Sequence, residues 1–266
     1  MTSNSTKPQV VILCGGMGTR LREETEFRPK PMVEVGGKPI LWHIMKIYSH
    51  YGFNNFVLCL GYKGHVIKEY FLNYRMMQSD FTLRLDLPEQ RHFHNIHGQE
   101  DWTITFAETG AEAMTGARVK RIEKYIESDY FMVTYGDGVA NLDISDLYRF
   151  HLAHGKIGTL TGVRPISRYG ELVVEADRIK VFSEKPQADE GTISGGFFVF
   201  HRRFFEYLKN EDSCFLERHA LERLALDGEL MCYRHEGFWH CMDTYRDFVS
   251  LNELWKQGAP WRVWEK

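Results

Sequence analysis

Short apolar runs alternate with amphipathic segments along most of this chain. Three of these runs, Gln9–Cys14, Asn55–Leu60 and Tyr130–Tyr135, are continuous and rich in β-branched or aromatic residues. Such a run is typical of a strand that is buried on both faces of a parallel sheet. The alternation therefore predicts an α/β fold, with a doubly wound, mostly parallel (mixed) sheet that carries helices on both faces.

The same periodicities place the remaining elements. The predicted helices are 39–51, 64–74, 117–126 and 143–154, and the other predicted strands are 103–108, 158–163, 171–175 and 196–200. The segment 81–100 is polar and histidine-rich without a clear period, which predicts an insertion or a long loop. Because ligands of such sheets bind at the carboxyl ends of strands, the loops after Cys14, Glu108 and Tyr135 are candidates for a site.

Composition excludes several classes of function. The 266 residues carry a formal net charge of -3, which gives no sign of nucleic-acid binding. The five cysteines form no CxxC pair, and their odd number argues against a disulfide framework. The first seven residues are polar, and no run of about 18 apolar residues occurs. We therefore expect a cytoplasmic protein that binds neither nucleic acid nor a membrane.

A glycine-rich loop, Gly15-Gly16-Met17-Gly18-Thr19-Arg20, follows the first predicted strand. Its glycines allow a ligand to approach the backbone closely, and successive N–H groups in such a turn can bind an anion. Arg20 adds a planar fork that suits phosphate oxygens. The loop lacks the Gly-Lys-Ser/Thr of a P-loop and the third glycine of a dinucleotide fingerprint. By itself it is equally compatible with a tight strand-to-helix turn.

Lys30 lies between Pro29 and Pro31, about ten residues beyond Arg20. Each proline favours extended backbone at the residue before it, so we expect a stiff, extended segment that presents Lys30. Two cations near one anion-binding loop suit a triphosphate or its pyrophosphate product. Taken alone, the lysine is better explained as part of an ordinary surface turn.

Two aspartates could hold a metal ion. Asp137 follows a predicted buried strand in Gly136-Asp137-Gly138, although a turn residue is the simpler interpretation there. Asp243 precedes a predicted helix and could equally be its N-cap. Neither alternative excludes binding of Mg²⁺, which prefers a few carboxylates together with phosphate oxygens and water.

The combination of motifs is more specific than any one of them. The run GGxGTRL, followed by KPMVEVGGKPILWH at 30–43, GYKG at 61–64, MTG at 114–116, YGDGV at 135–139, and GFW with MDT at 237–244, resembles sugar-1-phosphate nucleotidyltransferases. Within that family it is most similar to the cytidylyltransferases that act on glucose 1-phosphate, and the similarity extends along nearly the whole chain.

The resemblance implies a Rossmann-like nucleotidyltransferase sheet and direct transfer of a cytidylyl group from CTP to a sugar 1-phosphate, with Mg²⁺ as cofactor. It also implies a homo-oligomer, a trimer or a hexamer. We expect a disordered tail at 1–8 and a single domain at 9–266, in which about 9–140 binds the nucleotide and about 141–266 binds the sugar.

Carried over by position, the resemblance implies a role for each site residue. The catalytic residues would be Arg20, Lys30, Asp137 and Lys185, and the metal ligands would be Asp137 and Asp243. The nucleotide would contact Leu13, Gly15, Gly16, Met17, Gly18, Thr19, Thr109, Arg118 and Gly136. The sugar would contact Gly170, Glu184, Lys185 and Ser194.

Some alternatives stay open. Ser194 stands where the family often has Asn, and the stretch 164–170 also departs from the family pattern, so the identity of the sugar is open. UTP or dTTP could replace CTP. A catalytically silent sensor is disfavoured because both aspartates and both lysines are present. A Rossmann oxidoreductase is disfavoured because its glycine fingerprint is incomplete.

Three other features are explained more simply than by a ligand. His92, His94 and His97 could bind a metal ion, but a polar loop with exposed imidazoles is favoured. His235 and His240 are too far apart in sequence to share a helix face as the two histidines of a zincin do. The C-terminal tryptophans 239, 255, 261 and 264 are expected to pack in the core or between subunits.

Overall fold

The computed structural model describes residues 7–87, 89–94, 100–165, 171–175, 178–183 and 191–265. The strands in these ranges are β1 Gln9–Leu13, β2 Glu34–Val35, β3 Lys38–Pro39, β4 Asn55–Leu60, β5 Phe81–Leu83, β6 Arg91–Phe93, β7 Thr103–Glu108, β8 Tyr130–Tyr135, β9 Gly138–Ala140, β10 Gly158–Val163, β11 Glu171–Glu175, β12 Arg178–Ser183, β13 Ile193–His201, β14 Leu230–His235 and β15 Trp239–Cys241.

Seven of these strands form one sheet in the order β14-β10-β13-β8-β1-β4-β7. The pairs β8–β1, β1–β4, β4–β7 and β14–β10 are parallel, whereas β13 runs antiparallel to both of its neighbours. The sheet is therefore mostly parallel but mixed, as the sequence predicts. Strands from both halves of the chain share it.

The α-helices are α1 Arg22–Thr25, α2 Ile40–His50, α3 Gly64–Leu72, α4 Tyr74–Gln78, α5 Thr115–Arg121, α6 Ile144–His154, α7 Glu222–Leu226 and α8 Tyr245–Lys256. Short 3-10 turns lie at Thr19–Leu21, Lys30–Met32, Glu123–Tyr125, Arg202–Tyr207 and Val263–Glu265, and a π-helix lies at Leu216–Leu221. No helix within the described ranges is long and apolar enough to cross a bilayer.

Strand β1 shows how the sheet separates two hydrophobic cores. Val10 and Ile12 pack into one buried cluster together with residues of α2, whereas Val11 and Leu13 pack into a second cluster together with residues of α5. Successive side chains of a strand point to opposite faces, so the sheet carries helices on both sides. This arrangement confirms the predicted doubly wound architecture.

The predicted strands 55–60, 103–108, 130–135, 158–163 and 171–175 match β4, β7, β8, β10 and β11. Three segments differ from the elements that the sequence periodicity predicts. The predicted helix 117–126 begins earlier, at Thr115, and gives way to a 3-10 turn. The predicted helix 64–74 ends at Leu72 and a separate helix follows. The segment 81–100 contains an antiparallel hairpin of β5 and β6, because Phe81 pairs with Phe93.

A small ladder outside the main sheet positions the two aspartates. Strand β9, which follows Asp137, pairs antiparallel with β15, and Gly138 lies opposite Cys241. The backbone N–H of Met242 donates to the carbonyl of Asp137 at 2.9 Å and extends this pairing. The ladder therefore brings the chain around Asp243 to the carboxyl end of β8.

Candidate active site

The glycine-rich loop leaves the carboxyl end of β1 and enters the 3-10 turn Thr19–Leu21. Gly18 has a φ of 62°, in the left-handed region that favours glycine. The carbonyl of Gly18 accepts hydrogen bonds from the Thr25 hydroxyl at 3.0 Å and from the Leu21 N–H at 3.0 Å. These two bonds fix the end of the loop against α1.

Arg118, on α5, fixes the start of the loop. Its side chain is buried, and the residue is only 4% exposed. Its guanidinium donates to the Thr109 hydroxyl at 2.8 Å and to the carbonyl oxygens of Gly15 at 3.0 Å, Leu60 at 3.0 Å, Gly110 at 2.7 Å and Ala111 at 3.2 Å. All of these acceptors are uncharged, so Arg118 is held in place without being neutralised.

Two glycines make room for this guanidinium. A Cβ atom at Gly15 would lie 2.2 Å from Cζ of Arg118, and a Cβ atom at Gly61 would lie 2.6 Å from its Nη1. By contrast, a Cβ atom at Gly16 would meet nothing within 4 Å. The first glycine of the loop is therefore required by packing against Arg118, whereas the second faces open space.

Lys30 joins the two aspartates. Its Nζ lies 2.6 Å from Oδ2 of Asp137 and 2.7 Å from Oδ1 of Asp243. Arg20 reaches the same cluster, because its Nη1 lies 3.1 Å from Oδ2 of Asp243. Burial acts to lower the pKa of Lys30, but the charges and hydrogen bonds of the two carboxylates outweigh it and raise the pKa above its usual value. Lys30 therefore remains an ammonium ion between two carboxylates.

Local structure explains why Asp243 is available to this cluster. The N-cap of α8 is Thr244, whose hydroxyl accepts a hydrogen bond from the N–H of Asp247, while Asp247 accepts from the N–H of Thr244 at 2.7 Å. This capping box satisfies the start of the helix. The alternative interpretation of Asp243 as the N-cap is therefore wrong, and its side chain turns to Lys30 and Arg20.

The expected extended backbone at Lys30 is also wrong. Lys30 begins a 3-10 turn. In this turn the N–H of Met32 donates to the carbonyl of Pro29 at 2.8 Å, and the N–H of Val33 donates to the carbonyl of Lys30 at 3.1 Å. Pro31 fits the second position of this turn because its missing N–H leaves no hydrogen bond unmade. The turn aims Lys30 at the carboxyl ends of β1 and β8.

These groups surround an open cavity of about 340 Å³. Arg118 lines it at Gly15, where the loop starts, and Lys30, whose Cβ lies 3.3 Å from a Cβ atom built on Gly18, lines it with the two aspartates where the loop ends. The lining residues are Leu13, Cys14, Gly15, Gly16, Gly18, Thr19, Arg20, Lys30, Pro31, Ala113, Met114, Thr115, Arg118, Tyr135, Gly136, Asp137 and Asp243. Eleven of the residues singled out in the sequence for the nucleotide, catalysis or the metal ion thus meet here, with Lys30 between the loop and the aspartates.

The structure places the other candidates elsewhere. Thr109 is buried behind Arg118 and donates to the carbonyl of Leu60 at 2.7 Å. Met17 is 51% exposed and does not line the cavity. Ser194 is exposed on β13, opposite Gly162 of β10. Gly170, Glu184 and Lys185 lie outside the described residues.

The chain matches the model of a known protein family. The family model described as "Nucleotidyl transferase" matches residues 9–257, which includes the loop, Lys30, both aspartates and the whole seven-stranded sheet. The chain belongs to the nucleotidyl transferase family. This membership favours nucleotidyl transfer over the oxidoreductase hypothesis, in agreement with the resemblance seen in the sequence.

Curated relatives match nearly the whole length of this nucleotidyltransferase. It is 50% identical to "Glucose-1-phosphate cytidylyltransferase" of Salmonella typhi, over 97% of this chain and 100% of the relative. It is 46% identical to "Probable glucose-1-phosphate cytidylyltransferase" of Bacillus subtilis, over 96% of this chain and 100% of the relative. A "Mannose-1-phosphate guanylyltransferase catalytic subunit beta" of Dictyostelium discoideum is more distant, at 27% identity over 91% of this chain and 63% of that protein.

Solved structures support the fold. HddC from Yersinia pseudotuberculosis superposes with a TM-score of 0.66 at 24% identity, over 93% of this chain and 99% of that chain. A UDP-glucose pyrophosphorylase solved with UDP-glucose gives a TM-score of 0.67 at 15% identity, over 95% of this chain and 99% of that chain. The nucleotidyltransferase fold is thus shared by chains of low sequence identity.

Sequence reasoning missed a polar network on the rim of the cavity. The Tyr135 hydroxyl donates to Oε1 of Glu217, and the Thr115 hydroxyl donates to Oε2 of the same carboxylate at 2.9 Å. Burial, together with the charge of Glu217, raises the pKa of Tyr135 well above its ordinary value. Tyr135 is thus a neutral donor. Its position in the YGDGV run was the signal available, whereas nothing near Glu217 in the sequence pointed to the site.

His94 and Trp261, which the sequence did not assign to a ligand, contact other side chains of the chain. Within the described part of the chain, no group of three or more His, Cys, Asp or Glu side chains could hold a metal ion. The His94 ring instead bonds to the Thr82 hydroxyl at 2.8 Å, and His97 lies outside the described residues. Trp261 is fully buried against His43, as expected for a core residue.

Proposed function

We propose that this nucleotidyltransferase transfers the cytidylyl group of CTP to a sugar 1-phosphate, with α-D-glucose 1-phosphate as the first candidate, and releases a CDP-sugar and pyrophosphate. The proposal rests above all on 50% identity, over the full length of the relative, to proteins named glucose-1-phosphate cytidylyltransferase. The cleft adds independent support, because it combines a glycine-rich loop, two flexible cations and two convergent carboxylates.

CTP would lie along the cleft. The loop residues Gly15, Gly16, Gly18 and Thr19, with Leu13 and Gly136 beside them, would contact the base, ribose and phosphates through backbone groups. Met17 does not line the cavity, so its contact requires a nucleotide that extends beyond the cavity. Arg20 and Lys30 would hold the β- and γ-phosphates, because both are cations on long, flexible side chains that line the cavity.

Arg118 would contact the nucleotide at the start of the loop. Its guanidinium lines the cavity and is held by neutral oxygens, so its positive charge stays available to an anion there. Thr109 does not line the cavity and would act through Arg118, to which its hydroxyl is hydrogen-bonded.

The reaction needs alignment more than acid–base chemistry. An oxygen of the sugar 1-phosphate would attack the α-phosphorus of CTP, the bond from that phosphorus to the oxygen bridging to the β-phosphate would break, and pyrophosphate would leave with the electron pair. The nucleophile is already anionic, so no strong general base is required. The contribution of the protein would be to position two anions and offset their repulsion.

The two aspartates fit a magnesium ion. Their oxygens converge on one point, now held by Nζ of Lys30, and Mg²⁺ prefers one or two carboxylates together with substrate phosphates and water. Asp137 and Asp243 would therefore hold the ion, which when bound neutralises phosphate charge and polarises the reacting phosphorus.

The sugar would bind beside β13, at the end of the cleft next to Tyr135. A Cβ atom on Gly196 would lie 2.6 Å from the Tyr135 ring, so the strand that carries Ser194 packs directly on the cavity wall. Glu184 would bind sugar hydroxyls, Lys185 would bind the sugar phosphate, and Gly170 would offer a backbone contact.

The reaction can be tested by pyrophosphate release. The purified protein would be incubated with Mg²⁺, glucose 1-phosphate and each of CTP, UTP and dTTP in turn. We expect CTP to give the highest kcat/KM. The absence of pyrophosphate from CTP with every hexose and heptose 1-phosphate tried would contradict the proposal, and a preference for UTP or dTTP would correct the base alone.

We also infer that the protein is a homo-oligomer, a trimer or a hexamer, because the resemblance implies one. Large apolar side chains are exposed on α3, α4 and the following hairpin, including Leu72 at 76%, Met77 at 73% and Leu85 at 86%. An exposed group of this kind is typical of an association surface. Light scattering after gel filtration would give the mass of the assembly directly.

A further inference from the structure

Lys30 occupies the point at which both proposed metal ligands converge. Its side chain is 13% exposed, and those of Asp137 and Asp243 are 25% and 19% exposed. Each carboxylate gives Lys30 one oxygen at 2.6 or 2.7 Å, and the second oxygen of Asp243 is bonded to Arg20. Three of the four carboxylate oxygens are thus engaged by two resident cations.

The two cations offset the charge of the carboxylates. Among the described ion pairs of this cluster, Lys30 and Arg20 face Asp137 and Asp243, which weakens the attraction of the carboxylates for a free divalent ion. Magnesium also requires nearly ideal octahedral geometry and sheds its water reluctantly. To bind here it would first have to displace an ammonium ion from two short, charge-assisted hydrogen bonds.

We propose that Lys30 is a removable counter-ion, which excludes free divalent cations from Asp137 and Asp243 until a nucleoside triphosphate draws its ammonium group away. The triphosphate supplies oxygens with several negative charges, to which Lys30 and Arg20 transfer. The carboxylates then become available to the ion that accompanies the phosphates. The site thus takes a metal–triphosphate complex and not the free metal. This inference rests on the proposed function in one respect, which is that the nucleotide arrives with a divalent ion.

The test measures metal binding without any substrate. Mn²⁺ is titrated into the nucleotide-free protein, and the free ion is followed by its electron paramagnetic resonance signal. The wild type is compared with Lys30→Met, which removes the counter-ion, and with Lys30→Arg, which keeps a cation. We expect Lys30→Met to bind one Mn²⁺ at least about tenfold more tightly than the wild type, because the ammonium ion that holds Oδ2 of Asp137 and Oδ1 of Asp243 is then absent. Lys30→Arg should bind Mn²⁺ as weakly as the wild type.

Two controls separate this effect from a general loss of charge. Lys46 forms a similarly buried pair with Glu100 at 3.0 Å, with side chains 21% and 14% exposed, and this pair contains a single carboxylate. Lys46→Met should therefore leave Mn²⁺ binding unchanged. The double variant Lys30→Met/Asp137→Asn should lose the gain, because one of the two ligands is then removed.

Several outcomes would overturn the proposal. One is a folded Lys30→Met protein that binds Mn²⁺ no better than the wild type. Another is a nucleotide-free wild type that already binds one Mn²⁺ as tightly as Lys30→Met. If Lys30→Met does not fold, thermal melting of the wild type replaces the titration. We expect the melting temperature of the nucleotide-free wild type to stay the same when Mn²⁺ alone is added. A clear rise in that temperature would contradict the proposal. None of these measurements depends on CTP turnover, so failure of the proposed reaction would be seen separately.

Discussion

Cations lie at both ends of the glycine-rich loop, and they are held in opposite ways. At one end, Arg118 is buried and donates to four carbonyl oxygens and one hydroxyl, all of them neutral. At the other end, Lys30 is held by two carboxylates, and Arg20 is held by one of them while its side chain is 72% exposed. Neutral acceptors fix a cation and leave its charge intact, whereas carboxylates neutralise it and can be exchanged for other anions.

This difference separates two functions of positive charge. Arg118 shapes the loop permanently, because it holds the carbonyl of Gly15 and fills the space that two glycines leave open. Lys30 and Arg20 belong to a charge cluster that can be rearranged when phosphates arrive. We therefore expect substitutions at the Arg118 end to affect stability most, and substitutions at the Lys30 end to affect turnover most.

The largest expected effect is at the carboxylates. Asp137→Ala and Asp243→Ala should each lower kcat by at least about 10³-fold, equivalent to about 4 kcal/mol, because charge compensation at the phosphates is lost. The KM for CTP should change far less. Steady-state pyrophosphate release measures both. Asp212→Ala, at an exposed carboxylate paired with Arg121 outside the cleft, is the control that should retain normal turnover. Near-normal turnover of either cleft variant at saturating Mg²⁺ would show that its carboxylate is not a metal ligand.

A second prediction concerns the contribution of Arg118, at the start of the loop, to the stability of the fold. Arg118→Met should lower the free energy of unfolding by about 3 kcal/mol, because it removes the five hydrogen bonds that the buried guanidinium donates around the start of the loop. Arg20→Met should change the same quantity by less than about 0.5 kcal/mol, since its ion pair is largely exposed. Urea denaturation of both variants and the wild type makes the comparison. Equal destabilisation by the two substitutions would remove the distinction drawn between the two ends.

A smaller effect separates neighbouring glycines of the loop. Gly15→Ala should destabilise the protein by about 2 kcal/mol, because its Cβ would lie 2.2 Å from Cζ of Arg118, whose guanidinium must shift. Gly16→Ala should leave stability unchanged, because a Cβ there meets nothing within 4 Å. Thermal melts compare the two. A Gly15→Ala protein as stable as the wild type would mean that Arg118 can relax without loss.

Local sequence was sufficient for much of the fold. The strands predicted at Asn55–Leu60 and Tyr130–Tyr135 were confirmed, because a continuous apolar run bounded by turn residues has few other stable conformations. Helix boundaries were less exact, as at Thr115, because contacts with a distant segment set them: the N–H of Met114 donates to the carbonyl of Asp212 at 2.9 Å, and that of Ala117 donates to the carbonyl of Cys214 at 3.0 Å. The hairpin at 81–93 was missed because its strands are three residues long and mostly exposed.

The sequence by itself determined the chemistry available to the site. It identified the glycine loop, Arg20, Lys30, Asp137 and Asp243, because these residue types in these motifs suit phosphate and metal ions. Only the tertiary structure decided how they combine. Lys30 lies 107 residues from Asp137 and 213 residues from Asp243 along the chain.

Their meeting depends on the β9–β15 ladder and on the capping box that leaves Asp243 to Lys30. Arg118 likewise acquired its buried acceptors only when β1, β4 and α5 packed together. Such contacts depend on strand pairing and packing between distant segments, and no local pattern of residues specifies which carboxylate a given cation will meet.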